Sequence, residues 1–153
     1  MTEPREEVIK RIERIFQERI PFNGLLGLDV NIKNIHESEI RIKMREDLVG
    51  NYVMGILHGG VIASTLDVMG GLTSVLSLID KFRDKSMEEL MEKLSTFGTI
   101  DLRIDYLRPG RGREFIAAGT VLRTGNKISV TRTQLHNDEG LLIAVGTGTY
   151  LVG

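Results

Sequence analysis

The sequence predicts an α+β fold in which an antiparallel sheet wraps around one long central helix. Three observations predict it. Residues 59–79 carry a single charge, Asp67, among Val, Ile, Leu, Met, Ala, Gly, Ser and Thr; a helix that is apolar nearly all round belongs inside other structure. Segments on both sides of it alternate apolar and polar residues with the period of two that marks strands. The later strands contain the small residues Ala117, Ala118, Gly119, Ala144, Gly146 and Gly148, which suit a bend or the close approach of a helix.

Taken in order, residues 4–20 read as an amphipathic helix. Val8, Ile12, Ile15 and Arg19 follow the helical period, Ile9 and Phe16 widen the stripe, and Pro4 suits a first turn. This helix precedes a single domain spanning residues 21–153. Pro21 is expected to stop it, and residues 21–28, with Gly24 and Gly27, read as irregular. Leu28, Val30 and Ile32, then Ile40, Ile42 and Met44, predict a hairpin turning at His36-Glu37-Ser38. The central helix is long enough to cross a bilayer. A mid-helix carboxylate is costly there, and the flanking strands suit one soluble sheet, so no membrane is expected. Residues 80–94 read as a shorter surface helix, with Phe82, Met87, Leu90, Met91 and Leu94 at helical spacing and a capping box from Ser86 to Glu89. After it, Ile100, Leu102, Ile104 and Tyr106 mark a strand. Residues 115–122, 127–136 and 141–152 follow as three strands joined by hairpin turns.

Composition removes several function classes. A chain of 153 residues holds one sizeable core. The net charge of −1 offers nucleic acid no electrostatic footing, and 5% aromatics without Trp give no base-stacking platform. The absence of cysteine excludes disulfides, thiolate metal sites and cysteine nucleophiles. His36, His58 and His136 are scattered and predict no metal site. The charged opening (Glu3, Arg5, Glu6, Glu7) predicts no secretory signal and a cytoplasmic location.

The chemistry concentrates in Gly55-Ile56-Leu57-His58-Gly59-Gly60 and the Asp67 that follows. Two glycines at the start of a long helix leave backbone N–H groups open to a ligand oxygen at the positive end of the helix dipole. Burying a lone carboxylate costs several kcal/mol, in the range of about 3–5 kcal/mol for an unpaired charge, so Asp67 calls for a functional reason. Eight residues at 1.5 Å rise place Asp67 roughly 12 Å from the Gly59 amide. If both groups act on one carbon, the acid must come from a neighbouring subunit, and a two-fold dimer would build two equivalent sites.

His58-Gly59-Gly60 with Asp67, followed by Phe97-Gly98-Thr99-Ile100-Asp101-Leu102, Tyr106-Leu107-Arg108-Pro109 and Arg123-Thr124-Gly125-Asn126-Lys127, resembles the hotdog-fold acyl-CoA thioesterase superfamily in its PaaI-type branch. The resemblance spans residues 22–152. It implies hydrolysis of acyl-CoA to free acid and CoA, with no metal or separate cofactor, by a homodimer or a tetramer of two such dimers. Gly59 would supply an oxyanion donor, and the partner's Asp67 would act as base or nucleophile. Thr99 matches a hydroxyl that positions water. His58 belongs to the motif. Asn51 resembles a substrate-orienting asparagine, though one residue further from Gly55 than the family pattern. Gly60, Arg108, Arg111, Arg123 and Lys127 are the expected CoA-binding residues; arginine suits phosphate through its forked donors. Leu25, Leu26, Met54, Met69 and Leu72 suggest the acyl tunnel. Residues 80–94 exceed the family's usual connection and would either cover the site or alter the acyl pocket. Two other readings are an acyl-CoA sensing module without catalysis and a hotdog-fold acyl-thioester dehydratase using His58.

Overall fold

The computed structural model describes residues 5–153. The expected place of Pro4 in a first turn lies outside the described residues. Helix α1 (Arg5–Arg14) runs into a π-helical stretch, Ile15–Arg19, and then into α2 (Pro21–Leu26). The region expected to be irregular after Pro21 is therefore helical. Proline stops the preceding turn, but its fixed φ also opens a new helix at the first position. Gly27 closes α2 in the left-handed region at φ 72°, where glycine carries no Cβ penalty.

Strands β1 (Asp29–Asn34) and β2 (Glu37–Lys43) form the expected antiparallel hairpin. Two short strands, β3 (Val49–Asn51) and β4 (Ile56–Leu57), then make a small separate ribbon leading into α3 (Gly59–Lys81). Helix α4 is Met87–Leu94, capped by the reciprocal Ser86–Glu89 box. It is shorter than the 80–94 expected, because Asp80 and Lys81 still belong to α3. Four long strands complete the chain: β5 (Gly98–Tyr106), β6 (Glu114–Thr124), β7 (Ile128–Asn137) and β8 (Leu142–Leu151).

The six long strands form one antiparallel sheet in the order β1-β2-β6-β7-β8-β5. Helix α3 packs across it, chiefly on β6, β7 and β8, which is the hotdog arrangement. Leu66, Met69, Leu72 and Leu76 face the sheet and are at most 2% exposed. Small strand residues allow the approach: a Cβ on Gly119 would run into the Thr73 side chain and come within 3.5 Å of Met69 Cε. Val8, Ile12 and Phe16 of the N-terminal helical segment join the same core, so that segment is packed onto the sheet and helix rather than standing apart. An apolar window of α3 is long enough to span a bilayer, but 72% of it is buried inside the protein.

Candidate active site

The two halves of the expected site lie on α3, eight residues apart. His58 is the N-cap, with extended φ −64° and ψ 135°, and its Nδ1 accepts the Gly60 N–H at 2.8 Å. A second bond, from His58 N–H to the Leu48 carbonyl at 2.8 Å, ties the cap to the preceding segment. First-turn N–H groups have no partner within the helix. The cap takes that of Gly60 and leaves the Gly59 N–H, while the Gly59 carbonyl accepts the Tyr106 hydroxyl at 2.8 Å. A cavity of about 390 Å³ opens here, lined by Met54, Ile56, Gly59, Tyr106, Arg108 and Pro109 among others. Asn51 stands in β3 with its Oδ1 accepting the Val53 and Met54 N–H groups, both at 3.1 Å. Its carbonyl side shapes the loop that carries Met54 to this cavity.

Two turns further along, Asp67 is half-buried rather than enclosed. The Thr99 hydroxyl donates to Asp67 Oδ1 at 2.9 Å. The Tyr150 hydroxyl reaches the Asp67 carbonyl at 3.0 Å and Oδ1 at 3.3 Å. Both donors lie on Oδ1, so Oδ2 is the oxygen they leave open. Thr99 and Tyr150 are direct partners across β5 and β8, and a bulge follows Thr99; bulges re-aim side chains at such places. Burial, then the neighbouring Asp67 charge, pushes the Tyr150 hydroxyl well above the ordinary tyrosine range. It is therefore a lasting donor, braced by stacking on Phe97 at 5.8 Å between ring centroids.

Asp67 and Thr99 open onto a second cavity, also about 390 Å³ and largely apolar. Its wall along α3 runs from Asp67 through Val68 and Gly71 to Val75, and its roof includes Ile12 and Phe16 of the N-terminal helices and Met91 and Leu94 at α4. Ile15 and Phe16 belong to the π-helical stretch, a deviation that recurs at functional sites. The short helix α4 thus contributes Met91 and Leu94 to the lining of this cavity.

Other expected residues lie elsewhere. Met69, Leu72 and Leu26 are buried in the core. Leu25 is 70% exposed, and Met54 lines the Gly59 cavity. None of the five lines the cavity at Asp67. At 3.6 residues per turn, position 69 points away from the stripe of 67, 71 and 75, and Leu72, fully buried against the core, does not line the cavity. The basic residues also divide. Arg108 and Arg111 occupy the β5–β6 connection near Gly59, where Arg108 donates to the Leu142 carbonyl at 2.9 Å. Arg123 and Lys127 flank the β6–β7 turn, near Ser77 and Lys81 at the other end of α3. That is roughly 33 Å of helix, so one subunit does not gather all four. Tyr150 and the part of the roof formed by Ile12 and Phe16 went unnoticed in the sequence; no local pattern links Tyr150 to an aspartate 83 positions away. No group of three or more His, Cys, Asp and Glu able to hold a metal occurs among the described residues.

Comparison with known proteins agrees with this architecture. The family model "Thioesterase superfamily" matches residues 54–144. The chain is 46% identical over 148 residues to the medium/long-chain acyl-CoA thioesterase YigI of Escherichia coli strain K12, covering 97% of this chain and 96% of that protein. It is 45% identical over 148 residues to the protein of the same name from Salmonella typhimurium, with the same coverage of 97% and 96%. A crystal structure of a Shewanella oneidensis protein related to the thioesterase superfamily superposes with a TM-score of 0.95, at 49% identity, over 100% of both chains.

Proposed function

The chain belongs to the thioesterase superfamily, and on that premise we propose that it hydrolyses acyl-CoA thioesters carrying medium to long apolar acyl chains, releasing free acid and CoA. The observation that carries this reading is the Asp67 carboxylate, held by Thr99 and Tyr150 at the entrance of an apolar cavity. The acyl tail would lie in that cavity while the thioester carbon stands at Asp67. Water on Oδ2 would give up a proton as it attacks, with Asp67 as general base; direct attack by the carboxylate is the covalent variant of the same step. The relatives' names, medium/long-chain acyl-CoA thioesterase, fit an apolar pocket of this kind.

The developing oxyanion needs a donor, and the Gly59 N–H at the positive end of α3 suits it. It lies roughly 12 Å along the axis from the same subunit's Asp67. The site would therefore be completed by a second copy, each subunit giving Gly59 to one site and Asp67 to the other. Strand β5 offers the means: it ends the sheet, and Ile100 and Tyr106 on it are 56% and 52% exposed. An exposed apolar edge strand is a template for pairing with another chain. Arg108, which lines the Gly59 cavity, and Arg111 on the same connection would meet the CoA phosphates. His58, whose Nδ1 is occupied as a cap, is better placed to hold the loop than to run a dehydratase.

The test is steady-state hydrolysis of an acyl-CoA panel by wild type and Asp67→Asn. Turnover that collapses in the folded variant supports the reading. Tight acyl-CoA binding without turnover by wild type on any substrate would instead mark a sensing module.

A further inference from the structure

Gly70 and Gly71 are neighbours in the middle of α3, where glycine weakens a helix relative to alanine. Their surroundings differ. A Cβ at Gly70 would collide with the Tyr150 hydroxyl and approach Thr131 Oγ1 to 2.9 Å, so close packing excludes a side chain there. A Cβ at Gly71 would meet only ordinary contacts: Phe97 Cζ at 3.4 Å, Phe97 Cε1 at 3.5 Å and Tyr150 Cε1 at 3.8 Å. Packing does not demand glycine at this position. What its bare backbone does is keep open the cavity that begins at Asp67, since Gly71 forms the wall between Asp67 and Val75.

We propose that Gly71 sets the length of acyl chain the site accepts. This rests on the thioesterase reading above. Asp67, Gly71 and Val75 fall on one stripe of the helix, one turn apart. The cavity follows that stripe for roughly 12 Å from Asp67 to Val75. With bonds of about 1.5 Å at angles near 111°, an extended carbon chain advances about 1.25 Å per atom, so the stripe accommodates about ten carbons. A side chain at 71 would cut the accessible stripe to one turn, roughly 6 Å, or about five carbons at the same advance. The roof cannot compensate easily: Phe16 and Leu94 are packed into or against the core on the other side.

The experiment measures kcat/KM for the straight-chain series from butyryl-CoA to palmitoyl-CoA with wild type, Gly71→Ala and Gly71→Leu. Equilibrium binding of the corresponding alkyl-CoA thioethers, which cannot be hydrolysed, is measured beside it. Wild type should improve with length to about decanoyl-CoA. Gly71→Leu should lose at least about tenfold more on decanoyl-CoA than on butyryl-CoA, as expected when a pocket refuses added methylenes. Gly71→Ala should shift the optimum in the same direction by less and melt no lower than wild type, whereas Gly70→Ala should melt lower. An unchanged length profile in Gly71→Leu, or an equal loss at every length, would overturn the proposal. If wild type hydrolyses nothing but thioether binding still shortens its preferred chain in Gly71→Leu, the hydrolase reading fails and the length-setting role of Gly71 stands.

Discussion

The first and third turns of α3 are built from opposite materials. At the first, His58, Gly59 and Gly60 present backbone donors, a positive helix end and no acid. At the third, Asp67 is surrounded by side-chain donors from β5 and β8 and borders an apolar cavity. One turn can stabilise a developing anion but cannot activate water; the other can activate water but offers no helix terminus. In the reading proposed above, each is half of a hydrolytic site. Their separation within one chain is a property of the α-helix itself, so no side-chain motion closes it. If both turns act on one thioester, the functional unit is larger than the fold.

Changes at each turn should therefore have distinct signatures. The largest effect is expected at the third: Asp67→Asn should lower kcat by about 10²–10⁴-fold, the usual contribution of a general base, while the melting temperature barely falls. Gly59→Pro should follow, with a loss of about 10²–10³-fold for a missing oxyanion donor. The backbone favours this substitution. Proline is common at the first helical position, and His58 already holds the extended conformation that precedes it. A Cβ at 59 meets the exposed Tyr106 ring at 3.3 Å, a contact that a mobile side chain can relax. If Gly59→Pro keeps full activity, the first turn has no part in the chemistry.

Smaller effects would sharpen the division. Thr99→Val and Tyr150→Phe should each lower kcat by about tenfold, the equivalent of about 1.4 kcal/mol, with KM little changed, because they orient Asp67 rather than bind the acyl chain. The hydroxyl of Tyr150 has its pKa raised from 10.0 by burial and by Asp67. A raised folded-state value means that its contribution to stability is full below pH 10 and is lost as the pH rises through that raised value. The activity plateau should accordingly show no tyrosine-dependent fall up to about pH 10. Smallest in rate is His58→Ala: removing the cap should cost about 1 kcal/mol of stability and change kcat by less than tenfold. A collapse as deep as that of Asp67→Asn would instead return His58 to the chemistry.

Much of this was legible in the sequence because it is local. The apolar run of residues 59–79 with one charge, the alternation in 100–106 and the Ser86–Glu89 box each declare their element within a few residues. Pro21 was misleading because the same ring that ends one helix starts the next, and only the chain beyond it decides. The Asp67–Thr99–Tyr150 cluster was half visible. Thr99 follows the motif, but Tyr150 joins it only through the register of β5 against β8, which no short window contains. The residues expected to line an acyl tunnel do not line the cavity at Asp67 for a related reason. Met69 and Leu72 are as apolar as a tunnel lining should be, but the sheet claims their face of α3 and leaves the glycine face to the cavity. Arg123 and Lys127 resemble Arg108 and Arg111 in type, but the first pair flanks the β6–β7 hairpin turn and the second lies on the β5–β6 crossover, at the other end of α3.

The most direct test of a site shared between subunits is complementation between Asp67→Asn and Gly59→Pro, each inactive alone, mixed and allowed to exchange subunits. If each site takes Gly59 from one chain and Asp67 from the other, a mixed dimer carries one site with both defects and one intact. An equal mixture should then recover about a quarter of wild-type turnover, since half of the dimers are mixed and each has one of two sites. Subunit exchange with no recovery above the two inactive variants would contradict the account and return Gly59 and Asp67 to separate roles within one chain.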